Sequence, residues 1–139
     1  MRKKKRKILI CGAKAWKNKA LVESVLQIIV DDPNQTTVIH EGCKGAAKMA
    51  GYAAKQLGCS IIRVLAEWVC YGYKPGPTYT DIMLKHAPDL VIGFHVDIEK
   101  SEDTKHTIED ARKVGIPTYI ISSSSDLKVL PTVLSRDFD

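Results

Sequence analysis

Two glycine-bearing segments hold the residues best suited to chemistry. The first is Ile8-Leu9-Ile10-Cys11-Gly12-Ala13-Lys14-Ala15-Trp16, and the second is Val38-Ile39-His40-Glu41-Gly42-Cys43-Lys44-Gly45-Ala46-Ala47. Each is an apolar run that stops at glycine and then enters a helical pattern. If the runs are parallel strands, both loops lie at the carboxyl edge of one sheet, with helix N-termini behind them. Unpaired amides and the helix dipole favour an anion such as phosphate at that edge. Gly12 and Gly42 let the backbone turn sharply and approach a ligand closely. Lys14 and Lys44 can pair with phosphate or stand as solvated charges. Trp16 and Trp68 can stack on a base or fill the core.

His40 and His95 both end apolar runs. If they face one cleft, either can act as a general base or a polar ligand contact, or be a satisfied structural histidine. Glu41 is placed to reach a ribose hydroxyl, a role that exposed strand-end acids also mimic. No Cys/His/carboxylate spacing typical of a metal site is present, so no metal is expected. The well-known fingerprints are absent too: there is no GxGxxG after the first strand, no GxxxxGK[ST] and no G-x-S-x-G. A standard dinucleotide dehydrogenase, a P-loop nucleotidase and an α/β-hydrolase are therefore disfavoured.

The elements that must position these residues alternate along the chain. Strands are expected over 6–12, 36–41, 60–65, 89–95 and 117–122. Helices are expected over 18–31, 43–57, 78–86 and 104–114. In the first helix Leu21, Val22, Val25, Leu26 and Ile29 make one apolar stripe at helical spacing. Asp31-Asp32-Pro33-Asn34 ends it, because proline disfavours helical geometry in the residue before it. Gly58 stops the second helix, and Gly115-Ile116-Pro117 separates the last helix from the last strand. Ala46, Ala47, Ala50, Gly51, Ala53 and Ala54 allow another backbone to come close, at the sheet or at a subunit interface. Strands joined by helices imply an α/β fold, a parallel sheet covered on both faces. Ligands then lie beyond the carboxyl ends of the strands, within 12–16, 40–46, 68–80 and 94–104.

The 139 residues suffice for one domain, and 45% hydrophobic with 27% charged residues is a globular composition. The net charge of +5 is unevenly spread. Residues 2–7 hold six of the 21 basic residues, and the rest of the chain, with 15 basic and 16 acidic residues, is nearly neutral. A basic tail over 1–6 can bind nucleic acid, act as a nuclear-import signal, or simply solubilise the first strand. Its partners would be nucleic acid in the first case only. No apolar run is long enough for a membrane helix, and no secretory signal follows the basic start. Of Cys11, Cys43, Cys59 and Cys70, no pair has CxxC spacing. Reduced thiols in a cytoplasmic setting fit best, or a nuclear one in a eukaryotic host.

Four blocks, in order, resemble the SLOG superfamily, and within it the small YspA-like branch common in bacteria and their phages. Gly12-Ala13-Lys14-Ala15-Trp16 is similar to a Gly-Ser-Arg-Asp-Trp loop. His40-Glu41-Gly42-Cys43-Lys44-Gly45-Ala46 is similar to His-Gly-Gly-Ala-Arg-Gly-Ala. Trp68, then Lys74-Pro75-Gly76-Pro77 with Met83-Leu84, resembles Trp…Gly-Pro-x-Arg-Asn-x-x-Met. The last block is Pro88-Asp89-Leu90-Val91-Ile92-Gly93-Phe94 with Asp103-Thr104 and residues 111–117.

The resemblance implies a single Rossmann-like three-layer domain over 7–122, with a mostly parallel five-stranded sheet and a C-terminal extension over 123–139. It implies a protein that senses or processes nucleotide derivatives. Relatives include the Lonely Guy phosphoribohydrolases, nucleotide sensors of defence systems, and binders of single-stranded DNA. Related domains form dimers or higher assemblies, so a homo-oligomer is expected. The departures bear on catalysis. Where relatives have Gly-Gly-x-Gly-Thr, this chain has His95-Val96-Asp97-Ile98-Glu99-Lys100-Ser101-Glu102-Asp103-Thr104, and only Thr104 survives. Acids at that place oppose a phosphate. The hydrolytic Glu is replaced by His106 and Thr107, and the Arg of the Gly-Pro block by Tyr79. The expectation is a non-catalytic binder, a sensor or sponge, that needs no cofactor. Its contacts would come from Gly12 to Lys14, Trp16, His40 to Gly45, Trp68, Gly76, Pro77, Tyr79, His95 and Thr104. The alternatives are an N-glycosidase using Glu41, Glu99 or Glu109, and nucleic-acid binding through the tail.

Overall fold

A computed structural model describes residues 5–13, 15–40, 45–64, 85–95 and 102–131. The expected helix over 78–86 lies almost wholly outside them. The described elements are β1 (Arg6–Gly12), α1 (Lys19–Ile29), β2 (Thr36–His40), α2 (Ala46–Leu57), β3 (Ser60–Arg63), β4 (Leu90–Phe94), α3 (Glu102–Lys113) and β5 (Thr118–Ile121). All five strands pair in parallel, in the order β3-β2-β1-β4-β5. The sheet is an open Rossmann-like one, and its order reverses between β1 and β4.

Burial explains why these segments are strands. β2 and β4 are almost wholly buried, and so are the last five residues of β1. Ile8–Cys11 of β1 and Leu90–Ile92 of β4 read as continuous apolar runs because both their faces are covered. The edge strands β3 and β5 are only partly covered. The first two residues of β1 come from the basic run. Lys7 donates its N–H to Asp89 Oδ2 at 2.9 Å and accepts the N–H of Asp89 at 2.7 Å. The basic run therefore does not all project as a tail: Arg6 and Lys7 belong to the sheet.

One face of the sheet packs on α1 and α2. Ile8, Ile10, Val38, Leu90, Ile92 and Phe94 meet the α1 stripe Leu21, Val22, Val25, Leu26 and Ile29 there. Burying one such side chain contributes about 1.5–3 kcal/mol. Leu130, beyond the last strand, also sits in this cluster. The other face carries Leu9, Cys11, Ile39 and Val91 under Ile108 and Ala111 of α3.

The caps set the helix ends. Asn18 is the N-cap of α1, its Oδ1 accepting the N–H of Leu21 at 3.1 Å. Val30 is extended, so α1 ends two residues before the position expected from Pro33. A 3-10 turn over Pro33–Gln35, capped by Asp32, leads into β2. α2 ends at Gly58 in the left-handed conformation, where the N–H of Cys59 reaches the carbonyl of Ala54 at 3.0 Å.

Candidate functional site

The strand-order reversal brings three pieces of backbone together at the carboxyl edge. Ala13 donates its N–H to the carbonyl of Phe94 at 2.9 Å, which ties the β1 loop to the end of β4. The carbonyl of Ala13 accepts two N–H groups, from Trp16 at 3.2 Å and from Ala46 at 3.1 Å. The second bond fixes the N-terminus of α2 against the β1 loop. Gly12 makes this approach possible: a Cβ there would stand 2.7 Å from the Phe94 carbonyl oxygen and 2.8 Å from Ala46 Cβ. Gly45, at φ 77°, starts α2, and no side chain caps it. A helix leaves its first amides without intrahelical acceptors, and its dipole is positive there. The first turn of α2 carries no acid. An anion beyond Gly45 would meet favourable charge and donors.

The structure thus gathers Gly12, Ala13 and Gly45 as the sequence suggests. Lys14, Glu41, Gly42, Cys43, Lys44, Trp68, Gly76, Pro77 and Tyr79 lie outside the described residues, as does Glu99. Trp16 takes the core role rather than an open stacking one. It is 8% exposed, its Nε1 donates to the Asn18 carbonyl at 3.0 Å, and its ring meets Phe94 edge-on at 5.6 Å. Thr104 is buried on α3, its methyl over Gly93. His106 is exposed and pairs with Asp110 at 3.2 Å, and Glu109 is exposed on the same helix.

The two histidines do not share a cleft. His95 extends the β4 ladder, its N–H donating to Ile121 at 3.1 Å and its carbonyl accepting from Ser122 Oγ at 3.0 Å. Strand alternation sends it to the α3 side, and His40 to the α1–α2 side. His40 is 6% exposed, with its imidazole flat against α2 where a Cβ on Gly51 would overlap it. Burial, aided by the nearby Arg63 charge, lowers its pKa to about 4. The ring is therefore neutral at physiological pH, and its Nδ1 has no hydrogen-bond partner. The imidazole is thus packed in the interior beneath α2.

His40 and Gly51 floor a second concavity, an open groove of about 640 Å³ between α2 and β3. Lys48, Tyr52 and Lys55 line it from α2, and Ile61 and Arg63 from β3. Sequence reasoning passed over these residues. Their signal was the spacing of 48, 52 and 55, which puts them on one helical face. Among the described residues no cluster could hold a metal ion.

Comparison with known proteins finds relatives in sequence and a solved structure of similar fold. A curated relative, the gene 61 protein of Mycobacterium phage D29, is 28% identical over 118 residues, covering 81% of this chain and 93% of that protein. Among solved structures, the Moco carrier protein of Chlamydomonas reinhardtii superposes with a TM-score of 0.62 at 14% identity, covering 96% of this chain and 86% of that one. DNA processing protein A of Streptococcus pneumoniae gives 0.49 at 15% identity, covering 91% and 61%. The sequence model of the YspA, cpYpsA-related SLOG family matches residues 6–71, the segment that holds β1, α1, β2, α2 and β3. Over that segment the chain is similar to the YspA-related SLOG family, and the parallel sheet continues beyond it.

Proposed function

We propose that the protein binds a nucleotide-derived small molecule at the carboxyl edge between β1 and β4 and does not turn it over. The observation that carries this reading is the junction at Ala13. One carbonyl holds the β1 loop and the start of α2 together, beside the end of β4. A phosphate there would take the amides of the first turn that Ala13 does not engage, and Lys14 and Lys44, which flank the junction in sequence, would supply the countercharge. The fold is shared with a protein named as a carrier of Moco, so it can hold a cargo. Non-catalysis is supported by the sequence around α3, where hydrolytic relatives carry their acid. There His106 engages Asp110, and Thr107 is buried.

The test is a thermal-shift screen of mononucleotides, NAD, ADP-ribose, cyclic ADP-ribose isomers and cyclic dinucleotides. A ligand at about 100 times its dissociation constant adds about 2.7 kcal/mol, a shift on the order of 10 °C. The expected result is a stabilising compound recovered intact, with Lys14→Ala and Lys44→Ala each reducing the shift. A compound that is consumed shows an enzyme instead. Absence of any shift removes the assigned edge as a nucleotide site.

A further inference from the structure

The groove between α2 and β3 has a chemistry that the carboxyl edge does not explain. Its rim carries three cations, Lys48, Lys55 and Arg63, and no Asp or Glu is among the described residues lining it. Lys48 and Lys55 are seven residues apart on one helix face, about 10 Å along the axis. Between them on the same face stands Tyr52, a large ring left 59% exposed. Lys19 of α1 lies 5.5 Å from the centre of that ring and 3.9 Å from the Glu23 carboxylate on its own helix. Glu23 is on the far side of Tyr52, in a separate hollow between α1 and α2. The groove thus alternates cation, aromatic ring and cation along α2, with Arg63 facing them from β3.

We propose that this groove holds a short stretch of single-stranded nucleic acid, with successive phosphates on Lys48 and Lys55, a third contact at Arg63, and a base stacked on Tyr52. A basic track combined with an aromatic platform binds single strands with little sequence preference. A free mononucleotide would use one cation and leave the second unmatched. The proposal does not rest on the reading of the carboxyl edge, because Tyr52, Lys55 and Arg63 take no part in the Ala13 junction.

The experiment is fluorescence anisotropy of a short labelled oligothymidylate against the full chain over a range of salt. A second version lacks residues 2–5, which removes the basic extension but leaves β1 intact. Releasing counterions from a single strand contributes about 0.7 to the slope of log affinity on log salt per phosphate contact. Lys48→Ala with Lys55→Ala should make the slope shallower by about 1.4 in both versions. Tyr52→Ala should weaken binding by about 5- to 150-fold, the loss of one stacked base, and Tyr52→Phe should restore it. These side chains are exposed, so the melting temperature should not move. Tyr52→Ala and Lys55→Ala should also leave any small-molecule shift at the carboxyl edge intact. Three results overturn the proposal. One is unchanged affinity in the groove variants. Another is binding that vanishes with residues 2–5 alone. The third is equal displacement by a mononucleotide or by polyglutamate, which would show charge attraction without a stacked strand.

Discussion

The carboxyl edge at Ala13 and the groove beside β3 both use α2, yet they are built from different materials. The edge is backbone: amides and carbonyls, with Gly12 held at close range and Gly45 at the helix start. The groove is side chain: long cations and a ring standing on a finished helix. A backbone-built site is inseparable from the packing that forms it, so substitutions there damage the fold. A side-chain-built site can be stripped with the fold intact. The difference teaches that variants at the two places report different things, and stability measurements tell them apart.

The largest effect should come from acid, at the groove floor. Unfolded, the His40 imidazole takes a proton near pH 6.5; folded, it resists until about pH 4. The unfolded state therefore binds the extra proton as pH falls through that window. Stability is complete above about 6.5, drops towards about 4 and then levels, with a total loss of roughly 3 kcal/mol. Carboxylates titrate in part of the same range, so the readout is the difference from His40→Gln, whose denaturation profile should be flatter. Parallel profiles would show that His40 is not held neutral.

Gly12→Ala comes next. Its Cβ meets a carbonyl oxygen and Ala46 Cβ at distances that real contacts do not reach, and both belong to fixed backbone elements. A destabilisation of about 1–3 kcal/mol is expected by urea denaturation. No loss would mean that the β1 loop and α2 are less tightly joined than described. Gly51→Ala is the finer test. In an exposed helix this change adds nearly 1 kcal/mol of stability. Here overlap with the imidazole should turn the gain into a net loss, and His40→Ala in the same chain should recover it. A double-mutant cycle without coupling would break the claimed contact.

Much of the fold was legible because it rests on periodicity. The α1 stripe from Leu21 to Ile29 is the set of residues buried on that helix. The boundaries of β1 and the stop at Gly58 follow from composition and glycine. Trp16 reads equally as a ligand contact or a core residue, since ring type does not report depth; its burial against Phe94 places it in the core. His40 and His95 looked alike as strand ends. What separates them is alternation, which requires each strand's pairing register to be known. The groove was hidden for a related reason. Lys48, Tyr52 and Lys55 read as an ordinary solvated face until the strand order sets Arg63 opposite them.

The central position of β1 has a kinetic consequence. It pairs with β2 soon after it in sequence, but its other edge waits for β4, with Ile8 opposite Leu90. Some eighty residues must be synthesised, and a long loop closed, before that pairing can form. Contacts so distant in sequence are slow to make. During the interval Ile8, Leu9 and Ile10 present one unpaired apolar edge, the kind that recruits another chain. The segment that becomes the most protected strand of the native sheet is thus the most aggregation-prone part of the nascent chain.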